Sequence, residues 1–302
     1  MKIFRLKAFL SSGLIFSAVG LSGCSSSLIP DHDLVLEQRH DYNSEFATCV
    51  DFVDVEEGRL ALYASRQAHW VTSSVFKVPD PPIIAIRDIT LPESECEFND
   101  VLIWSFKQAD LPYLEQIRSL IPHEVGHLVL FNMQGSKRDD QYGSDAPDWI
   151  DEAFAMAYES EDTADQRLYD AVRLAAAGLL FPLPAFLEME HPQLQGLLDS
   201  GPIEGPAVFE IDPETGMATA IFYAQSFLFQ EYLVDLTNNS AILSEIASEI
   251  KKGVLVSDAI VKTVSVTGER DISMIEEGFE AWLASDPQLA LPRYSLIFHE
   301  SD

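Results

Sequence analysis

The stretch Ile121-Pro122-His123-Glu124-Val125-Gly126-His127-Leu128-Val129-Leu130 decides how the rest of the chain is read. It contains His-Glu-x-x-His. On a helix, residues four apart lie one above the other, so His123 and His127 offer two imidazoles to one metal ion. Glu124, beside the first of them, is placed to take a proton from a water at that metal and is the candidate general base. Leu128, Val129, Leu130 and Phe131 are apolar and seat the helix in a core, where two histidines and a glutamate need partners. The alternative is a core helix whose histidines are satisfied by hydrogen bonds alone.

A catalytic zinc takes three protein ligands and keeps one position open. The metzincin spacing needs glycine where Leu130 stands and histidine where Met133 stands, so that arrangement is absent. A glutamate on the following helix is the other standard source, and Glu152 stands there, in the apolar segment Trp149 to Tyr158.

Pro147-Asp148-Trp149-Ile150-Asp151-Glu152-Ala153-Phe154-Ala155 resembles the Trp-x-x-Glu-Gly-x-Ala segment of gluzincin-type, peptidase MA-like zinc metallopeptidases. The resemblance implies that Glu152 is the third zinc ligand. Two positions depart from it. Ala153 stands where the family has glycine, and Met156 where thermolysin-type relatives place an aspartate that orients a ligand histidine, which leaves Asp151 and Asp148 as candidates for that task. Further on, Tyr223-Ala224-Gln225-Ser226-Phe227 through Tyr232-Leu233 is similar to the family's Tyr-x-x-Ser helix ending in Tyr-Leu. Lys252-Gly253, Asp258-Ala259-Ile260 and Ile275 to Leu283 resemble its closing helices, so the likeness runs from about Leu111 to Leu283.

By that resemblance the fold is α+β and zincin-like: a small N-terminal sheet with an amphipathic helix, the metal helix, then a mainly helical C-terminal half. It also implies one zinc per chain and hydrolysis of a peptide or protein substrate. Tyr223 is the candidate for the hydroxyl that stabilises the oxyanion, with Tyr232 in reserve, and a core tyrosine is the other reading of Tyr223. The rival function is a non-catalytic lipoprotein that uses a zincin scaffold for binding or envelope assembly.

The N-terminus carries Lys2, Arg5 and Lys7 followed by an uncharged apolar run from Ala8 to Leu21. That run falls short of the roughly 20 residues that span a bilayer, and residues 1–23 read as a secretory signal. Leu21-Ser22-Gly23-Cys24 resembles the lipobox of bacterial lipoproteins. This implies that Cys24 is acylated and, with Ser25 rather than aspartate following, that the protein sits at the outer membrane of a Gram-negative cell, facing the periplasm. An ordinary cleaved signal is the alternative. Residues 24–46 are Ser-rich and then charged, as expected of a tether without a core. The metallopeptidase domain is assigned to 47–290, with sheet and metal helix in 47–135 and the helical part in 136–290, and a tail at 291–302.

The chain of 302 residues is 47% hydrophobic, enough for one large domain or two small ones, and shows no internal repeat. Its net charge of −30 becomes −33 once the three leader cations are removed. Such a surface repels phosphate backbones and excludes nucleic acid as a partner. No pattern specifies an oligomeric state. Outside the cytoplasm a disulfide between Cys49 and Cys96 is permitted and would contribute about 4 kcal/mol on the chain-entropy model, two buried thiols being the alternative.

Alternation predicts strands over Thr48–Val55, Ile83–Arg87 and Val101–Phe106, and helical spacing predicts an amphipathic helix over Arg59–Phe76. The strand before the metal helix is a candidate edge for pairing with an extended substrate, or a plain core strand. His69 reads as structural. Asp110-Leu111-Pro112 reads as a helix start, and Pro122 either kinks the helix that follows or starts a new one. Gly135 to Pro147 reads as a loop. His191 is expected at the surface, and the proline-rich insert from Phe181 to Pro213 to wall or cover the cleft.

Overall fold

The computed structural model describes residues 40–43, 48–78, 80–91, 101–107, 111–134, 144, 146–192, 213–265 and 271–285. The signal segment, Cys24, Cys96, Asp110, most of the 135–147 loop, insert residues 193–212 and the tail from 291 lie outside them. Four strands form one sheet in the order β1 (His40–Asn43), β2 (Thr48–Asp51), β3 (Ile84–Asp88) and β4 (Leu102–Trp104). β1 pairs antiparallel with β2, and the other two pairings are parallel. All four residues of β2 are buried, which is the pattern of a strand covered on both faces.

Helix α1 (Val55–Trp70) makes the crossover from β2 to β3 and lays Leu60, Ala61, Ala64 and Ala68 into the core. It starts four residues earlier than its apolar spacing suggests. The Asp54 carboxylate accepts hydrogen bonds from the N–H groups of Glu56 and Glu57, and this cap cuts the preceding strand short at Asp51. The helix then loosens into a π-helical turn over Val71–Val75 and ends before Lys77, whose φ is +55°. The expected tether to residue 46 is also shorter than its composition implies. His40–Asn43 joins the sheet through backbone pairing at an edge, which leaves no apolar pattern in the sequence.

The chain enters the helix of the His-Glu-x-x-His segment through α2 (Tyr113–Glu115) and a π-helical turn, Gln116–Leu120, and then runs as α3 (Ile121–Gln134). Pro122 therefore falls at the second position of α3, just after the irregular turn. Lacking an N–H, it cannot bond the carbonyl of Arg118 four residues back. That carbonyl instead accepts from the N–H of Ser160, at 2.9 Å. Pro112 starts α2 without a side-chain cap.

Among the described residues, seven further helices follow: α4 (Asp148–Met156), α5 (Glu161–Ala176), α6 (Leu183–Leu187), α7 (Pro213–Thr237), α8 (Ile242–Lys251), α9 (Val256–Val264) and α10 (Ile272–Ser285). α7 is the core of this half, burying Phe222, Leu228, Phe229 and Leu233 among α4, α5, α8, α9 and α10. No helix among the described residues is long and apolar enough to cross a membrane. The architecture is α+β, mostly helical, with a small and mainly parallel sheet.

One contact positions the site. α3 and α4 cross so closely at Gly126 that a Cβ there would lie 2.6 Å from the Cα of Ala155 and 2.9 Å from Cδ2 of Tyr158. Glycine on one helix and alanine on the other are what allow the two backbones to approach. The approach brings Glu152, nearly one turn before Ala155, against the face of α3 that carries the two histidines.

Candidate metal centre

His123 and His127 project from successive turns of α3 with their Nε2 atoms 3.2 Å apart. Oε2 of Glu152 completes a triangle, 3.6 Å from Nε2 of His123 and 3.8 Å from Nε2 of His127. With metal–ligand bonds of about 2.0–2.1 Å, a tetrahedral zinc ion separates its donor atoms by about 3.3–3.4 Å. The three edges bracket that spacing. All three side chains are buried, and Oε2 of Glu152 makes no hydrogen bond. A buried carboxylate oxygen directed at two imidazole nitrogens, with no donor of its own, fits a cation site, and this triad can hold a metal ion.

Each imidazole is fixed from behind. Nδ1 of His127 lies 2.8 Å from Oδ1 of Asp151, and Nδ1 of His123 lies 2.8 Å from Oε1 of Glu159. An ionised carboxylate only accepts, so the proton sits on Nδ1 in both rings and Nε2 faces the centre. Of the two aspartates proposed from the sequence, Asp151 has this role, and its second oxygen accepts from the N–H of Ser144. Asp148 serves elsewhere: it accepts from the backbone N–H of His191 at 2.6 Å. Burial, opposed by that bond, pushes its carboxyl up to about 6.

Glu159 was not legible from the motif. It follows the end of α4, seven residues after Glu152, and Arg167 of α5 grips both of its oxygens. The guanidinium of Arg167 also lies over the ring of Tyr223, 5.5 Å from its centroid. Burial favours neutral His123, yet the carboxylates of Glu152 and Glu159 beside it outweigh burial and raise its pKa to about 10. In the other direction, the histidines outweigh burial at Glu152 and hold it down to about 2. These two shifts agree in sign, as expected of charges that stabilise one another.

Glu124 is buried at the same centre, and its Oε2 has no hydrogen-bond partner. Burial pushes its carboxyl above the usual range, with the histidines opposing. Tyr223 is half-buried beside Glu152, and burial together with that carboxylate raises its phenol well above 10. Tyr232, the reserve candidate, is removed from the site. Its hydroxyl packs directly against Gly278 and its ring against Phe279 and Trp282.

The expected surface position of His191 is wrong. It is 4% exposed, its ring stands edge-on to Phe222 and Tyr223, and its Nε2 lies 3.7 Å from Oε1 of Glu152. The part of the insert that is described, through α6 to Pro192, thus folds against the centre. His69 lies outside the triad, near the end of α1. β4 is an edge strand in the sheet order, but its three side chains are buried, so it is edge by pairing and core by packing. Cys49 is buried and disulfide-bonded.

Fold and site together define a mainly helical α+β protein with a buried triad of two histidines and one carboxylate that could hold a metal ion. No protein-family model, curated protein or solved structure matches the chain.

Proposed function

We propose that this chain is a zinc-dependent peptidase of zincin-like fold, held at the cell envelope by a lipid on Cys24. The observation that carries the reading is Glu124, a buried carboxylate with a partnerless oxygen beside the three donors. A site that only binds metal has no use for it. Zinc is the favoured ion because two imidazoles and one carboxylate at near-tetrahedral spacing suit it. The resemblance of the 147–155 segment to gluzincin-type peptidases supports the same assignment.

His123, His127 and Glu152 hold the ion, which when bound supplies Lewis acidity toward a substrate carbonyl. Glu124 takes the proton of the attacking water and returns it to the leaving amine; its raised pKa suits both halves of that task. The Tyr223 hydroxyl, kept neutral by its surroundings, donates to the carbonyl oxygen as negative charge develops there. The substrate is a peptide or protein, met on the periplasmic side of the outer membrane.

The test is zinc content and cleavage of a diverse peptide library by the parent chain and by Glu124→Gln. We expect about one zinc in each, and turnover about 100- to 10,000-fold lower in the variant, the range for losing a positioned base. Equal turnover in the two proteins removes Glu124 from the chemistry. Zinc without any cleavage in the parent favours the binding or envelope-assembly role.

A further inference from the structure

The two histidines of the triad each have a carboxylate on the nitrogen that faces away from the centre. The third donor presents the mirror problem. Glu152 has two equivalent oxygens, and a carboxylate free to rock can offer either one or both. The structure separates them: Oε2 faces the histidine nitrogens, and Oε1 faces Nε2 of His191 at 3.7 Å.

We infer that His191 is a positioning residue for Glu152, holding Oε1 so that Oε2 alone is offered to the ion. The inference rests on the metal reading above. His191 is attached to α4 at two points that lie one helical turn apart. Its backbone N–H donates to Asp148 at the first position of α4, and its ring reaches Glu152 four residues on, so both anchors share one face of the helix. The edges of Phe222 and Tyr223 on α7 set the plane of the ring. The ring is therefore registered to the ligand helix by the backbone and to α7 by packing. Among the histidines of the described residues that approach Glu152, His191 is the one whose ring nitrogen faces Oε1 rather than Oε2, and burial keeps that ring neutral. The same ring borders Tyr223, which ties the orientation of the ligand to that of the candidate oxyanion donor.

The test uses cobalt(II) as a probe in the full chain, because its visible absorption is strong in four-coordinate sites and weak in more highly coordinated ones. Three proteins are compared: the parent, His191→Phe, which keeps the packing but has no donor, and His191→Gln, whose amide N–H can reach the same oxygen. We expect the Phe variant to lose band intensity as Oε1 joins the ion, and to bind cobalt about 10- to 100-fold more weakly, the usual effect of losing such a partner. The Gln variant should regain most of both. His191→Leu gives the same comparison if the Phe variant does not fold. A Phe or Leu variant with the parent's spectrum and affinity overturns the inference, as does an equal loss in the apolar and Gln variants, which reports only lost packing. A folded parent that takes up no cobalt or zinc overturns the metal reading itself, and this inference with it.

Discussion

Asp151 and Glu159 do the same work from different places. Asp151 sits beside Glu152 on α4 and reaches His127, while Glu159 comes after the helix has ended and reaches His123. The first was legible as one of two aspartates near the third ligand. The second was not, because its role is created by the turn that ends α4 and by Arg167 on the next helix, neither of which leaves a spacing in the sequence. His191 was missed for a similar reason: a histidine between Glu190 and Pro192 reads as a polar loop residue until the fold brings Asp148 and Glu152 to it. The sequence did carry the residues that lie on one helix or follow a recognisable segment, namely His123, Glu124, His127 and Glu152. Because Asp151 fixes the tautomer and plane of His127, Asp151→Asn is expected to weaken zinc binding about 10-fold or more without unfolding the chain. Competition with a chelating dye measures the constant, and circular dichroism checks the fold.

At the level of elements, the ligand set is a property of two helices and their crossing. Gly126 lies inside the His-Glu-x-x-His segment, where helix propensity alone favours alanine by about 1 kcal/mol. Packing opposes this with a Cβ 2.6 Å from the backbone of Ala155, a contact that flexible side chains cannot relieve. Overpacking of this kind costs about 1–3 kcal/mol, so packing outweighs propensity. Gly126→Ala is expected to lower stability in chemical denaturation and, because it moves α4 away from α3, to weaken zinc binding more than a surface Gly→Ala change elsewhere. The helices were largely legible because their apolar spacing is strong. Their ends were less so: Asp54 starts α1 early, and although a new helix does begin at Ile121, beside Pro122, the π-helical turn that leads into it leaves no mark in the spacing. β1 escaped notice because edge pairing uses the backbone.

At the scale of the whole molecule, the proposed metal binding would be tied to protons. His123 has a pKa raised to about 10, so below that pH it carries a second proton that a metal ion must displace. Zinc binding at pH 7 is therefore expected to release about one proton from this residue, and affinity should fall about tenfold per pH unit as the solution is made more acidic. Titration calorimetry in two buffers of different ionisation enthalpy reads the proton count directly, and a count of zero would contradict the charge state derived from Glu152 and Glu159.

The bond from Ser160 N–H to the Arg118 carbonyl acquires its meaning at this scale too. It joins Ser160, which lies four residues past α4 at the start of α5, to Arg118 in the π-helical turn that leads into α3, and the buried triad His123, His127 and Glu152 joins α3 and α4 through their side chains. The segments flanking the pair are thus tied by main chain, and an ion bound at the proposed site would add a second tie through side chains. If an ion occupies the proposed site, its release is expected to require the two helices to part, so that a chelator acts on the opened ensemble and not on the closed one.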